Sequence, residues 1–83
     1  MSKSVVIIGA SGHGKVIADT VLKSGDKVIG FLDDGIESGN LIVGFEVLGK
    51  ISDYKNYSDC EFVIAIGDPY IREKIANMLN VKW

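Results

Sequence analysis

Gly9, Gly12 and Gly14 fall within the six-residue stretch Gly9-Ala10-Ser11-Gly12-His13-Gly14, directly after the apolar run Val5–Ile8 and just before Lys15, Val16 and Ile17. Glycines let a backbone turn sharply and approach a ligand closely, and a helix that starts beside them offers unpaired N–H groups and the positive end of its dipole. The pattern therefore predicts a cradle for a phosphate or pyrophosphate. Its spacing, G-x-x-G-x-G, differs from the G-x-G-x-x-G of the common dinucleotide fingerprint. A tight strand-to-helix turn without a ligand is the alternative. His13, between two glycines at the positive end of a helix, reads as a hydrogen-bonding group rather than a cation, or as a spectator.

Two further sets lie downstream. Asp33-Asp34, about twenty residues after the glycines, can accept hydrogen bonds from a ribose hydroxyl or a base N–H, or can simply form the turn before Gly35. In Gly67-Asp68-Pro69, Gly67 leaves room for a ligand to lie across the chain, while Asp68 is a better helix cap than ligand contact. Arg72 reads as a surface or ion-pairing residue. No Ser/His/Asp or Cys/His set is present, and no carboxylate pair stands beside a base, so no catalytic residue is assigned. With a single His and a single Cys, far apart, no metal site is assigned either. These residues describe a binding module.

The elements that must position them follow a regular alternation. Val5–Ile8 is continuously apolar, as a strand buried on both faces should be. A helix is expected from about Gly12 to Ser24, with Val16, Ile17, Thr20, Val21 and Ser24 on one stripe and Gly25 as its left-handed stop. Val28–Leu32 is the second strand, in which Gly30 marks close packing of the first helix. Residues 35–44, with three glycines, read as a mobile loop. Phe45–Leu48 and Lys50–Tyr57 suggest a short strand and a helical turn or two. Phe62–Ile66 is a third main strand, followed by a helix with Ile71, Ile75, Met78 and Leu79 on one face. Asn80 is expected to cap it, and Val81-Lys82-Trp83 to open another strand.

The fold class that follows is α/β: a small Rossmann-like open parallel sheet with flanking helices and right-handed crossovers. If the order is second–first–third main strand, the three strand ends converge on one crevice, where such sheets bind ligands.

Composition narrows the partners. Eighty-three residues make one small domain, 1–83, and an apolar fraction of 47% supports a real core. Nine Lys/Arg against eleven Asp/Glu, with no basic block, exclude a nucleic-acid or membrane-surface protein. The lone Cys60, the lack of a signal peptide and the lack of a long apolar span point to the cytoplasm.

Three segments also carry a resemblance: I-I-G-A-S-G-H-G-K-V-I-A-D, G-F-L-D-D and F-V-I-A-I-G-D-x-x-I-R-x-K-I. In order and spacing they resemble the N-terminal domain of bacterial sugar O/N-acyltransferases, of the sialic-acid O-acetyltransferase and UDP-amino-sugar N-acetyltransferase types. The likeness covers essentially the whole chain. It implies an α/β domain that binds a nucleotide sugar, typically UDP-linked. Acetyl-CoA and the catalytic histidine would belong to a C-terminal left-handed β-helix that also forms a trimer. Gly9, Ala10, Ser11, Gly12, His13 and Gly14 would then hold the diphosphate and sugar, Asp33 and Asp34 would meet the uridine, and Gly67 and Asp68 would flank the sugar. No hexapeptide repeat is present here, so the chain reads as a truncated or excised domain. On that reading it is monomeric, has no cofactor of its own and is without acetyltransferase activity. A nicotinamide-dinucleotide-binding fragment of an oxidoreductase and a ligand-free regulatory domain of Rossmann type are the competing readings.

Overall fold

Four apolar residues in succession can be buried only if both faces of their strand are covered, and that is how β1 (Ser4–Ile8) is placed. The computed structural model describes residues 3–10 and 12–79. After β1 come α1 (Gly12–Lys23), β2 (Lys27–Leu32), β3 (Leu41–Ile42), β4 (Phe45–Gly49), a 3-10 segment (Ile51–Tyr57), β5 (Glu61–Ile64) and α2 (Pro69–Leu79). The sheet order is β3-β4-β2-β1-β5. All pairings are parallel except the β3–β4 hairpin. The main strands therefore stand in the expected second–first–third order.

The period of two along β1 splits the core into two layers. Val5 and Ile7 pack with Phe31, Val47 and the α1 residues Ala18 and Val21. Val6 and Ile8 pack with Leu32, Ile64 and the α2 residues Ile75 and Ala76, flanked by Ile51, Tyr54 and Tyr57 of the 3-10 segment.

Both helices keep the expected period but not the expected phase. The inner face of α1 runs through Gly14, Ile17, Ala18 and Val21, leaving Val16 65% exposed and Thr20 and Ser24 outside. The reason is close approach: a Cβ on Gly14 would run into the Gly9 carbonyl and meet Phe31 Cε1 at 3.2 Å, so small residues define the contact line. In α2 the inner face is Arg72, Ile75, Ala76 and Leu79, whereas Ile71 and Met78 are largely exposed. Arg72 on that face is half-buried. Gly30 does not face α1 either. Its Cβ would collide with the Glu46 carbonyl and Leu48 of the neighbouring strand β4.

The 35–44 stretch also departs from a simple loop. Leu41–Ile42 pairs with Phe45 and Glu46 in a two-residue hairpin whose central residues, Val43 (φ 46°) and Gly44 (φ 87°), both adopt positive φ. A type I′ turn requires that geometry, and valine is a poor sequence signal for it. Gly25 (φ 85°) ends α1 as expected, where the Asp26 N–H donates to the Val21 carbonyl (3.2 Å). The expected cap at Asn80 and strand at Val81–Trp83 lie outside the described residues.

Candidate functional site

From β1 the chain moves through α1 to β2 and β4 on one side, then returns to place β5 on the other side of β1. The strand order therefore reverses between β1 and β5, and in open parallel sheets the carboxyl ends on either side of that point leave a crevice. Here it has a volume of about 400 Å³ and is lined by Gly9, His13, Asp33, Asp34, Gly67 and the apolar Ile51, Ile66 and Ile71, among others. It adjoins a second hollow of about 470 Å³, which shares Asp34 and Gly35 and adds Glu37, Ser38, Lys50 and Asp53.

Each wall has a local cause. Gly9 turns the chain out of β1 at φ +101°, while its N–H donates to the Leu32 carbonyl (2.8 Å). A Cβ there would meet Ile66 Cγ1 at 3.0 Å, so any other residue would be strained in conformation and tightly packed as well. Ala10 is fully buried, and its N–H donates to Asp33 Oδ2 (2.8 Å). Gly12 starts α1, which points its N-terminal end at the crevice, and His13 is exposed on the rim. Gly14 is buried beneath the helix. Ser11 lies outside the described residues.

The two aspartates differ. Asp33 is half-buried with both oxygens engaged: Oδ2 accepts from Ala10, and Oδ1 accepts from the Gly35 N–H (2.7 Å). Asp34 is exposed, and its Oδ1 accepts from the Ile51 N–H at the start of the 3-10 segment (2.9 Å). At the β5 end, a Cβ on Gly67 would touch nothing within 4 Å, so that turn opens onto free space. Asp68 is not among the residues that line the crevice. Its Oδ1 accepts from Tyr70 N–H (2.9 Å) and Ile71 N–H (3.3 Å), which makes it the N-cap of α2.

The structure thus brings Gly9, His13, Asp33, Asp34 and Gly67 to one crevice. Ala10 and Gly14 lie behind its wall, and Asp68 serves α2. Sequence reasoning missed Ile51, Ile66 and Ile71, which make the floor and flank partly apolar. The available signal for Ile51 was its place just after β4, a fourth parallel strand whose end joins the others. Among the described residues no group of three His, Cys, Asp or Glu could hold a metal ion, and no helix is long and apolar enough to cross a membrane.

A five-stranded, mainly parallel α/β sheet with a glycine turn feeding a helix N-terminus at its point of reversal is a Rossmann-like ligand-binding domain. The model of the PglD N-terminal domain family matches residues 4–79, and the chain belongs to that family. Among solved structures, the chain is similar to the acetyltransferase domain of PglB from Neisseria gonorrhoeae, with 28% identity and a TM-score of 0.83 over 95% of this chain and 40% of that one. It is also similar to the perosamine N-acetyltransferase of Caulobacter crescentus, solved as a mutant with CoA and GDP-perosamine, with 26% identity and a TM-score of 0.80 over 93% of this chain and 37% of that one. An uncharacterized protein, L142, of Acanthamoeba polyphaga mimivirus is 37% identical over 84 residues. The chain spans only 17% of that relative's length.

Proposed function

We propose that this domain binds a nucleoside-diphosphate sugar across the carboxyl ends of β1, β2 and β5, as the N-terminal domain of an acetyl-CoA-dependent sugar acetyltransferase. The observation that carries the reading is the meeting of the Gly9 turn, the N-terminal end of α1, Asp34 and the open Gly67 turn around one crevice. The diphosphate lies against the first turn of α1, where the N–H groups of a helix start have no intrahelical partner and the dipole favours an anion. His13 on the rim donates to, or accepts from, the phosphate or sugar. The sugar extends over Gly67 beside the apolar Ile66 and Ile71. Family membership and the GDP-perosamine complex of a structural relative support the same assignment.

The base we assign is uracil. Its single imide N–H suits Asp34, in which one oxygen serves Ile51 and the other has no bond among the described residues. Guanine adds an N2 amino donor and is better met by a carboxylate with both oxygens open. Acetyl transfer lies outside the role proposed for this domain, since no nucleophile–base pair is found among the described residues.

Calorimetric titration of the 83-residue chain with UDP, GDP, UDP-N-acetylglucosamine and NAD tests this directly. Binding of the UDP ligands, weaker binding of GDP and none of NAD are expected. Preference for NAD would overturn the reading, and preference for GDP would overturn the base assignment alone.

A further inference from the structure

The adjacent carboxylates of Asp33 and Asp34 sit at the same strand end, yet their surroundings are unlike. Asp33 spends both oxygens on main-chain N–H groups 23 residues and two residues away: Ala10 in the β1 turn at 2.8 Å and Gly35 in the β2 turn at 2.7 Å. It therefore ties the turn after β1 to the turn after β2. One residue earlier the Gly9 N–H also donates to the Leu32 carbonyl (2.8 Å), but past that bond the side chains add little. The Ala10 side chain is a single buried methyl, and Gly35 has none. Bonds from N–H groups to an ionised oxygen are also stronger than those between neutral partners. Asp34 differs: it is exposed, lines both hollows where Asp33 lines one, and among the described residues is bonded through Oδ1 alone.

We infer that the pair divides its labour, Asp33 being a positioning residue that clamps the glycine turn, and Asp34 being the carboxylate that reads the nucleoside. This deepens the proposed nucleotide-sugar site and rests on it. The inference is specific because a shared role would make the two interchangeable. Asp33 also lines the crevice, but each of its oxygens already accepts a main-chain N–H, so a ligand donor would have to share an occupied oxygen, whereas Asp34 Oδ2 has no bond among the described residues.

The consequence is a pattern of losses across ligands. With Asp33 replaced, the first turn of α1 is no longer held in place, so every ligand that uses it suffers alike. Asp33→Ala should weaken inorganic pyrophosphate, UDP and UDP-N-acetylglucosamine by a similar factor, roughly tenfold or more for loss of a charge-assisted bond. Asp34→Ala should weaken UDP and the sugar nucleotide by about tenfold and leave pyrophosphate unchanged. Asp26→Ala is the control. It removes a carboxylate–backbone bond of the same kind, to the Lys3 N–H at 2.9 Å, at the opposite end of the sheet, and should leave all three affinities unchanged.

Amide hydrogen exchange on the ligand-free chain supplies an arm that needs neither ligand nor a fully stable variant. Ala10 and Gly35 amides should be protected in the unmodified protein, and both should exchange faster in Asp33→Ala. Asp33→Asn, which keeps one acceptor oxygen, should retain protection at only one of them. Loss of UDP affinity in Asp33→Ala with pyrophosphate affinity and both amides unchanged would overturn the inference and return Asp33 to the ligand. Equal losses in the Asp26→Ala control would overturn it too, by reducing the effect to general stability. If the unmodified chain binds none of the ligands, the functional reading falls, and the amide arm alone decides the clamp.

Discussion

The carboxyl end of the sheet and the β3–β4 hairpin are built in opposite ways. At the crevice, irregular backbone positions are occupied by residues suited to them, and several are tied by contacts distant in sequence. Gly9 takes the positive φ, Asp33 and Asp34 bond N–H groups on other segments, and Asp68 caps α2. In the hairpin, a β-branched residue, Val43, occupies the left-handed position, and Leu41 and Val43 are 68% and 55% exposed. The short antiparallel pairing to β4, the bonds of Gly39 and Asn40 with Val47, and the packing of Ile42 and Phe45 against the core hold this edge. Backbone strain is thus tolerated away from the crevice and relieved beside it. The crevice must keep amides from three strand ends in register, whereas the edge needs only to end the sheet.

Substitutions can break that contrast, beginning with the largest effect. Phe31 is fully buried between β4 and α1 and touches the contact line at Gly14. Phe31→Ala should cost about 3–5 kcal/mol, read as a fall in the urea midpoint. For a domain of this size that approaches the whole stability. Gly9→Ala should cost about 2–4 kcal/mol, from a left-handed alanine and its clash with Ile66. An equal cost for Gly44→Ala, where a Cβ meets nothing within 4 Å, would show that conformation alone is responsible and that packing at the crevice adds nothing.

Smaller effects sharpen the comparison. Asp68→Ala should lose about 1 kcal/mol through the α2 cap, with Asp68→Ser restoring most of it. Because Asp68 caps the helix and does not line the crevice, UDP affinity measured by calorimetry should stay unchanged in both. Val43→Asn should raise stability by about 1 kcal/mol, since asparagine tolerates the left-handed region and gives the favoured Asn-Gly turn. A decrease on thermal unfolding would mean that the valine side chain contributes packing that its exposure does not suggest.

Strand runs, helix starts and the crevice were legible in the sequence for local reasons. Val5–Ile8 and Phe62–Ile66 lack polar residues, Asp68-Pro69 is a start signal in itself, and the glycines at 9, 12 and 14 have few other uses. The helix phases were not legible, because the inner face of α1 was decided by how closely Gly14 could approach Gly9 and Phe31. The β3–β4 hairpin was missed because its turn places valine where asparagine or glycine is expected. Ile71 looked like core from its spacing in α2 and instead flanks the crevice.

The roles of Asp33 and Asp34 mark the boundary between the two sources of information. Sequence alone determined that two carboxylates follow a glycine turn by about twenty residues, and hence that both stand at the carboxyl end of the sheet beside a helix N-terminus. Which carboxylate bonds to the β1 turn, and which to the start of the 3-10 segment, was decided only when β1, β2 and that segment came together. The bonds of Asp33 to Ala10 and of Asp34 to Ile51 span 23 and 17 residues, and no local propensity encodes a partner that folding alone brings within 3 Å.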